Sequence, residues 1–146
     1  VVLQYGANVS DHRRLPEKRY RRMFSLALKN LQPLVRSQKV GCLVVGPVDR
    51  GYGWKRRMPS RPVVGDVVRV QKELAARYGC AFWSGRAAMG GKGGARRWRK
   101  ARPPLIWPDL THLTPKGAYL IGQLLARSLL TSFDHYARKT PRPRCR

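Results

Sequence analysis

Apolar residues fall along this chain in short runs separated by helical stripes. Val1-Val2-Leu3, Val40 to Val45 and Cys80 to Trp83 are brief, largely unbroken apolar runs bounded by loop residues. Such runs suit strands of a parallel sheet buried on both faces. Between the first two, Pro16 and Glu17 open a helix in which Tyr20, Met23, Phe24, Ala27, Leu28, Leu31 and Leu34 recur at three- and four-residue spacing. Arg19, Arg22 and Lys29 are left for solvent. A second helix starts at Val63, with Val64, Val67, Val68, Gln71, Leu74, Ala75 and Tyr78 on one face and Gly79 as its stop. Pro115 opens a last helix, whose broad apolar face of Tyr119, Leu120, Leu124, Leu125, Leu129 and Phe133 is expected to pack on the sheet.

Strands alternating with helices predict an α/β fold. Two stretches stand apart as loops. Gly51 to Pro62 is rich in Gly, Pro and Arg and carries Trp54 beside Lys55-Arg56-Arg57, where the strand ends of an α/β sheet receive ligands. Gly85 to Trp98 reads as a glycine-rich, lid-like connection. Its Gly90-Gly91-Lys92-Gly93-Gly94 run lacks the terminal Lys-Ser/Thr of a phosphate loop and shows no clear helix start, so a flexible wall around an acyl or sugar pocket accounts for it better.

Composition adds a second theme. The 146 residues, 42% of them hydrophobic, suffice for one core, yet 31 Lys and Arg face only 7 Asp and Glu, a net charge of +24. That surplus attracts polyanions, nucleic acid being the usual one. The basic residues are spread along the chain, and no zinc-finger spacing, RNA-binding aromatic signature or basic heptad array accompanies them, so a solvated basic surface is favoured over nucleic-acid binding. The segment Arg138 to Arg146 carries two prolines and no apolar stripe, which divides the chain into a domain over 1–136 and a disordered basic tail over 137–146. No apolar segment is long enough to span a bilayer. Cys42 and Cys80 read as buried small apolar residues and Cys145 as an exposed, unpaired thiol; His12 and His135 read as surface residues. Nothing in the Cys and His spacing suggests a metal site.

The candidate chemistry lies in Pro108-Asp109-Leu110-Thr111-His112-Leu113-Thr114-Pro115-Lys116-Gly117. A carboxylate three residues before a histidine can hold one imidazole nitrogen while the other accepts a proton, two-thirds of a catalytic triad. No Gly-Asp-Ser segment occurs in the chain. Three further segments follow the strand candidates in order: Tyr5-Gly6-Ala7-Asn8, Val44-Val45-Gly46-Pro47-Val48-Asp49-Arg50 and Ala81-Phe82-Trp83-Ser84 leading to Ala88-Met89-Gly90-Gly91.

This order resembles the SGNH, or GDSL-type, hydrolase and esterase family, most closely the bacterial branch with peptidoglycan and polysaccharide O-acetylesterases. That branch shows Tyr-Gly-Thr-Asn, Gly-Pro-Pro-Asp, Phe-Trp-Asp leading into Ala-Met-Gly-Gly, and a final Asp-x-x-His-Leu-Thr-x-x-Gly. The resemblance implies a three-layer α/β/α sandwich with a parallel, flavodoxin-like sheet, here without its N-terminal strand and helix. It implies His112 as general base, Asp109 as its orienting carboxylate and Asn8 as an oxyanion donor, with Trp54, Trp83, Met89, Gly90 and Gly91 as candidates for the substrate loops. It further implies hydrolysis of an O-acyl ester of a small molecule or glycan, no cofactor or metal, and a periplasmic or cell-surface location. The chain departs from the pattern at Ala7, Val9, Val48 and Ser84. The nucleophilic serine and a backbone glycine donor belong to blocks expected before Val1, so the chain reads as the C-terminal part of such a domain, inactive by itself.

Overall fold

A computed structural model describes residues 1–11, 14–37, 40–52 and 60–139. Three short parallel strands, β1 (Val2–Gln4), β2 (Leu43–Gly46) and β3 (Ala81–Ser84), form one sheet in the order β1-β2-β3. Val2 pairs with Leu43 and Leu43 with Ala81, so the strand ends are level. Helix α1 (Glu17–Ser37) connects the first pair and α2 (Pro62–Arg77) the second. The expected strands are real but later by one to three residues at their starts, because Val40 to Cys42 and Cys80 precede the paired segments.

Alternation along the strands decides where the core sits. Leu3, Val44 and Phe82 are level neighbours on one face. There they meet Tyr20, Phe24 and Leu28 of α1 and Val63, Val67, Val70, Leu74 and Ala75 of α2. Burying an aliphatic or aromatic side chain of this kind contributes roughly 1.5 to 3 kcal/mol, so this cluster holds the sheet to its helices. The α1 stripe is narrower than its periodicity suggests: Met23, Ala27 and Leu34 stay exposed. Within α2, Val70 is fully buried and Val68 only partly so.

The other face of the sheet is covered unevenly. Trp83, pointing opposite to Phe82, donates its indole N–H to Ser128 Oγ at 3.1 Å, which sets α5 (Pro115–Lys139) on that side near β3. Val2, at the far edge, is 64% exposed. The α/β class and the parallel sheet thus hold, while the second covering layer is partial among the described residues. Helix α5 also runs through residue 137, where the tail was expected to begin, as far as Lys139.

Two expectations need correction. Cys42 and Cys80 are not separate apolar residues; they form a disulfide across the start of neighbouring strands, with Cα atoms 4.7 Å apart. The register brings them together, a pairing 38 residues apart in sequence that spacing alone does not reveal. The Gly85–Trp98 connection is also no lid. It contains α3 (Gly85–Ala88) and α4 (Gly94–Lys100), and Met89, Ala95 and Trp98 are buried in a second core with Ile106 and Leu110. Glycines at 90, 91 and 93 with positive φ make the sharp turn that lets α4 start at Gly94.

Candidate active site

Loops at the C-terminal ends of the three strands carry the candidate chemistry. After β1, Asn8–Asp11 form a single 3₁₀ turn, and the Asn8 side chain is exposed. After β2 comes the loop Pro47–Tyr52, and after β3 the Ser84 side chain caps α3 by accepting the Ala87 amide at 3.1 Å. Ser serves as an N-cap as well as Asp does, which explains why Ser84 can stand where the resembled pattern has Asp.

Asp109 and His112 lie on a fourth loop, the tip of a small hairpin. Ile106 bridges Leu113 in antiparallel fashion, the Trp107 amide donates to the His112 carbonyl at 2.8 Å, and the Thr114 amide donates to the Leu105 carbonyl at 3.1 Å. Leu110 sits in the turn with φ of 55°, an uncommon conformation for a leucine. Its side chain is buried, which anchors the tip in the second core.

This turn aims the carboxylate. Asp109 Oδ1 accepts the Thr111 and His112 amides at 2.8 and 3.0 Å, and Oδ2 meets His112 Nδ1 at 2.6 Å. Partial burial pushes the Asp109 carboxyl up, but the His112 ring and the two backbone amides together hold it below its ordinary value. The carboxylate is therefore ionised at neutral pH and fixes the imidazole through Nδ1. His112 Nε2 has no partner among the described residues, and the side chain is 75% exposed. The pair can accept a proton at Nε2 and stabilise the imidazolium that results.

Thr114 and Gly117 explain the rest of the motif. The Thr114 hydroxyl donates to the Pro104 carbonyl at 3.0 Å and accepts the Gly117 amide at 3.2 Å, tying the hairpin base to the first turn of α5. Gly117 is buried, and a Cβ there would collide with the Leu105 carbonyl.

The loop after β2 joins the two halves of the site. Arg50 donates from Nη1 to the Ala7 carbonyl at 2.5 Å and to Ser10 Oγ at 2.7 Å, bracketing Asn8. Gly51, the next residue, donates its amide to the Leu110 carbonyl at 2.8 Å, and a Cβ on it would press into the Leu110 side chain. The same loop holds Asp49, fully buried, which accepts from Ser60 Oγ at 2.8 Å, Arg86 Nε at 3.3 Å and the Ala95 amide at 3.1 Å. Asp49 so pins the glycine-rich connection to the strand ends. Sequence reasoning reached Asp49, Arg50 and Leu110 only as members of motif runs, and Gly51 only as the start of a loop, without assigning any of them a task.

The other candidates separate. Met89 is core, and Gly90 and Gly91 form the turn beside it, with the Gly90 carbonyl accepting from Arg97 Nη2 at 2.6 Å. Trp83 is held against α5. Trp54, with Lys55-Arg56-Arg57, lies outside the described residues, as do His12 and Cys145. Each serine hydroxyl near a strand end is engaged elsewhere: Ser10 on Ala7, Ser60 on Asp49 and Ser84 on Ala87. Among the described residues there is also no cluster of His, Cys, Asp and Glu suited to a metal ion, and no helix long and apolar enough to cross a membrane.

No family model and no curated protein sequence matches the chain. Among solved structures it is similar to one described as a peptidoglycan O-acetylesterase in action, with a TM-score of 0.76 and 20% identity. The match covers 96% of this chain and 38% of that one, so the likeness is one of fold and spans well under half of the neighbour.

Proposed function

We propose that this chain carries the base-and-acid half of an SGNH-type serine esterase, directed at an O-acyl ester, with an O-acetylated glycan as the substrate class. The observation that carries this reading is the Asp109–His112 pair: a 2.6 Å contact at Nδ1, a carboxylate fixed by two amides, and an open Nε2. The fold likeness and the order of motifs along the strand ends support it. A full three-layer sandwich belongs to the same proposal, since the face beside β1 is the side left uncovered. So does a location on the oxidising side of a membrane, where a disulfide such as Cys42–Cys80 persists.

In the reaction, His112 Nε2 takes the proton of a serine hydroxyl as its oxygen attacks the acyl carbon. The tetrahedral oxyanion receives the Asn8 amide, a donor worth about 3 to 4 kcal/mol in such a hole. His112 then returns the proton to the departing alcohol, and water repeats the sequence to release the acid. The serine comes from polypeptide outside these 146 residues.

The test is hydrolysis of aryl acetate and O-acetylated glycan by the chain extended upstream through a Gly-Asp-Ser segment. Turnover there, lost in His112→Ala with the fold intact by circular dichroism, is the expected result. Unchanged turnover in His112→Ala would sink the reading. The charge of +24 favours one competing view, a non-catalytic basic module for a polyanion. That view predicts binding to nucleic acid that falls steeply with salt and does not depend on Asp109 or His112.

A further inference from the structure

Helix α5 was expected to turn its apolar face to the sheet, and for most of its length it does the opposite. Its inward side is made by buried Gly117, by Leu120, Ile121 and Leu124 in the second core, and by Ser128 under the Trp83 indole. At about 100° per residue these positions share one direction. Tyr119, Ala126, Leu129, Leu130, Phe133, Tyr136 and Ala137 fall on an arc of roughly 120° facing the other way. Leu130, Phe133 and Tyr136 are 63 to 64% exposed. The outward stripe extends about 25 Å along the helix.

One edge of that stripe is cationic. Lys116 and Arg127 are exposed and eleven residues apart, just over three turns, so they line up within about 20° beside the Leu130 side of the stripe, whereas Arg138, a further eleven on, has drifted round to the direction of Leu120. Asp134 is the one acidic residue of α5 and lies on the same edge. Lys139 ends the helix, and Arg142, Arg144 and Arg146 follow in the sequence with no acid among them.

We propose that the outward face of α5 docks on the surface of an anionic phospholipid bilayer, with Leu130, Phe133 and Tyr136 in the interfacial region and Lys116 and Arg127 at the headgroups. Aliphatic and aromatic residues bordered by long basic side chains are the pattern of a helix lying in a membrane interface. Charge decides among occupants. A second copy would bring +24 against +24, whereas an anionic surface complements that charge. A nucleic acid would match the arginines but leave the apolar stripe uncovered. This inference does not depend on the esterase reading.

The test is cosedimentation of the full chain with vesicles of phosphatidylglycerol and phosphatidylcholine in equal parts, and with phosphatidylcholine alone, at physiological salt. Binding to the anionic vesicles is expected, weakened by at least about tenfold in Leu130→Glu/Phe133→Glu and retained in Phe133→Leu. Because these side chains touch no core, the thermal unfolding of the variants should match the parent. Equal binding by the double variant would reduce the effect to charge alone and overturn the proposal. Failure of the parent to bind, or a parent dimer in light scattering that Phe133→Glu dissolves, would overturn it as well.

Discussion

At the scale of residues, the site depends on groups that make room or hold an angle as much as on groups that react. The left-handed turn at Leu110 is what brings Asp109 Oδ1 under two amides while Oδ2 reaches the ring. Asp109→Asn would replace that acceptor with a group that can present an N–H to Nδ1, favouring the wrong tautomer. In an assembled triad this predicts a loss of about 10⁴-fold in kcat. It also predicts loss, in this chain, of the downfield Nδ1 proton resonance of His112, which NMR can check. Gly117 supplies a sharper structural test. A methyl group there meets the Leu105 carbonyl, so Gly117→Ala should destabilise the fold by at least about 1 to 3 kcal/mol in urea unfolding.

Among the elements, α1 and α2 are joined by charge as well as by their shared core. Arg21 meets Glu17 at 2.8 Å and Glu73 at 2.5 Å, and Arg69 meets Glu17 at 2.7 Å and Glu73 at 3.4 Å. Hydrogen bonds from Arg69 and then Arg21 bring the Glu17 carboxyl down to about 2. The Glu73 carboxyl is lowered too, chiefly by Arg21. A carboxylate with a depressed folded value stabilises the fold above its unfolded value of 4.5 and loses that contribution as pH falls toward 2. Tm should therefore fall across that window, and Glu17→Gln should flatten the dependence in a calorimetric series. These groups are at the surface, so salt weakens the effect. The same scale shows α5 dividing its work: its inner side anchors the hairpin that bears His112, and its outer side is free for the bilayer.

For the whole molecule, the sheet is small and one disulfide ties two of its strands. Closing the span between Cys42 and Cys80, 38 residues apart, restricts the unfolded chain by about 4 kcal/mol in the loop-entropy account. Unfolding in the presence of a thiol reductant should show a midpoint lower by an amount of that order. The loop after β2 is the corresponding joint at the site, because Asp49, Arg50 and Gly51 in succession hold the glycine turn, the Asn8 loop and the His112 hairpin. A substitution such as Arg50→Ala acts on the Asn8 loop through Ala7 and Ser10, and on no reacting atom.

Sequence by itself determined the alternation of strands and helices, the Asp-x-x-His spacing and the order of loop motifs, because these are local. Periodicity, proline and glycine positions and side-chain chemistry are written in neighbouring residues. It also indicated Thr114 and Gly117 as part of a pattern without giving their task. Only the tertiary structure decided that Cys42 and Cys80 pair, that Arg50 and Gly51 join two loops far apart in the chain, that Met89 is buried in the second core and that Trp83 reaches Ser128 of α5. The same holds for α5, where apolar spacing gave a helix but could not say which side would be buried. Contacts of that kind depend on strand register and on which surfaces meet, and no window along the chain contains them.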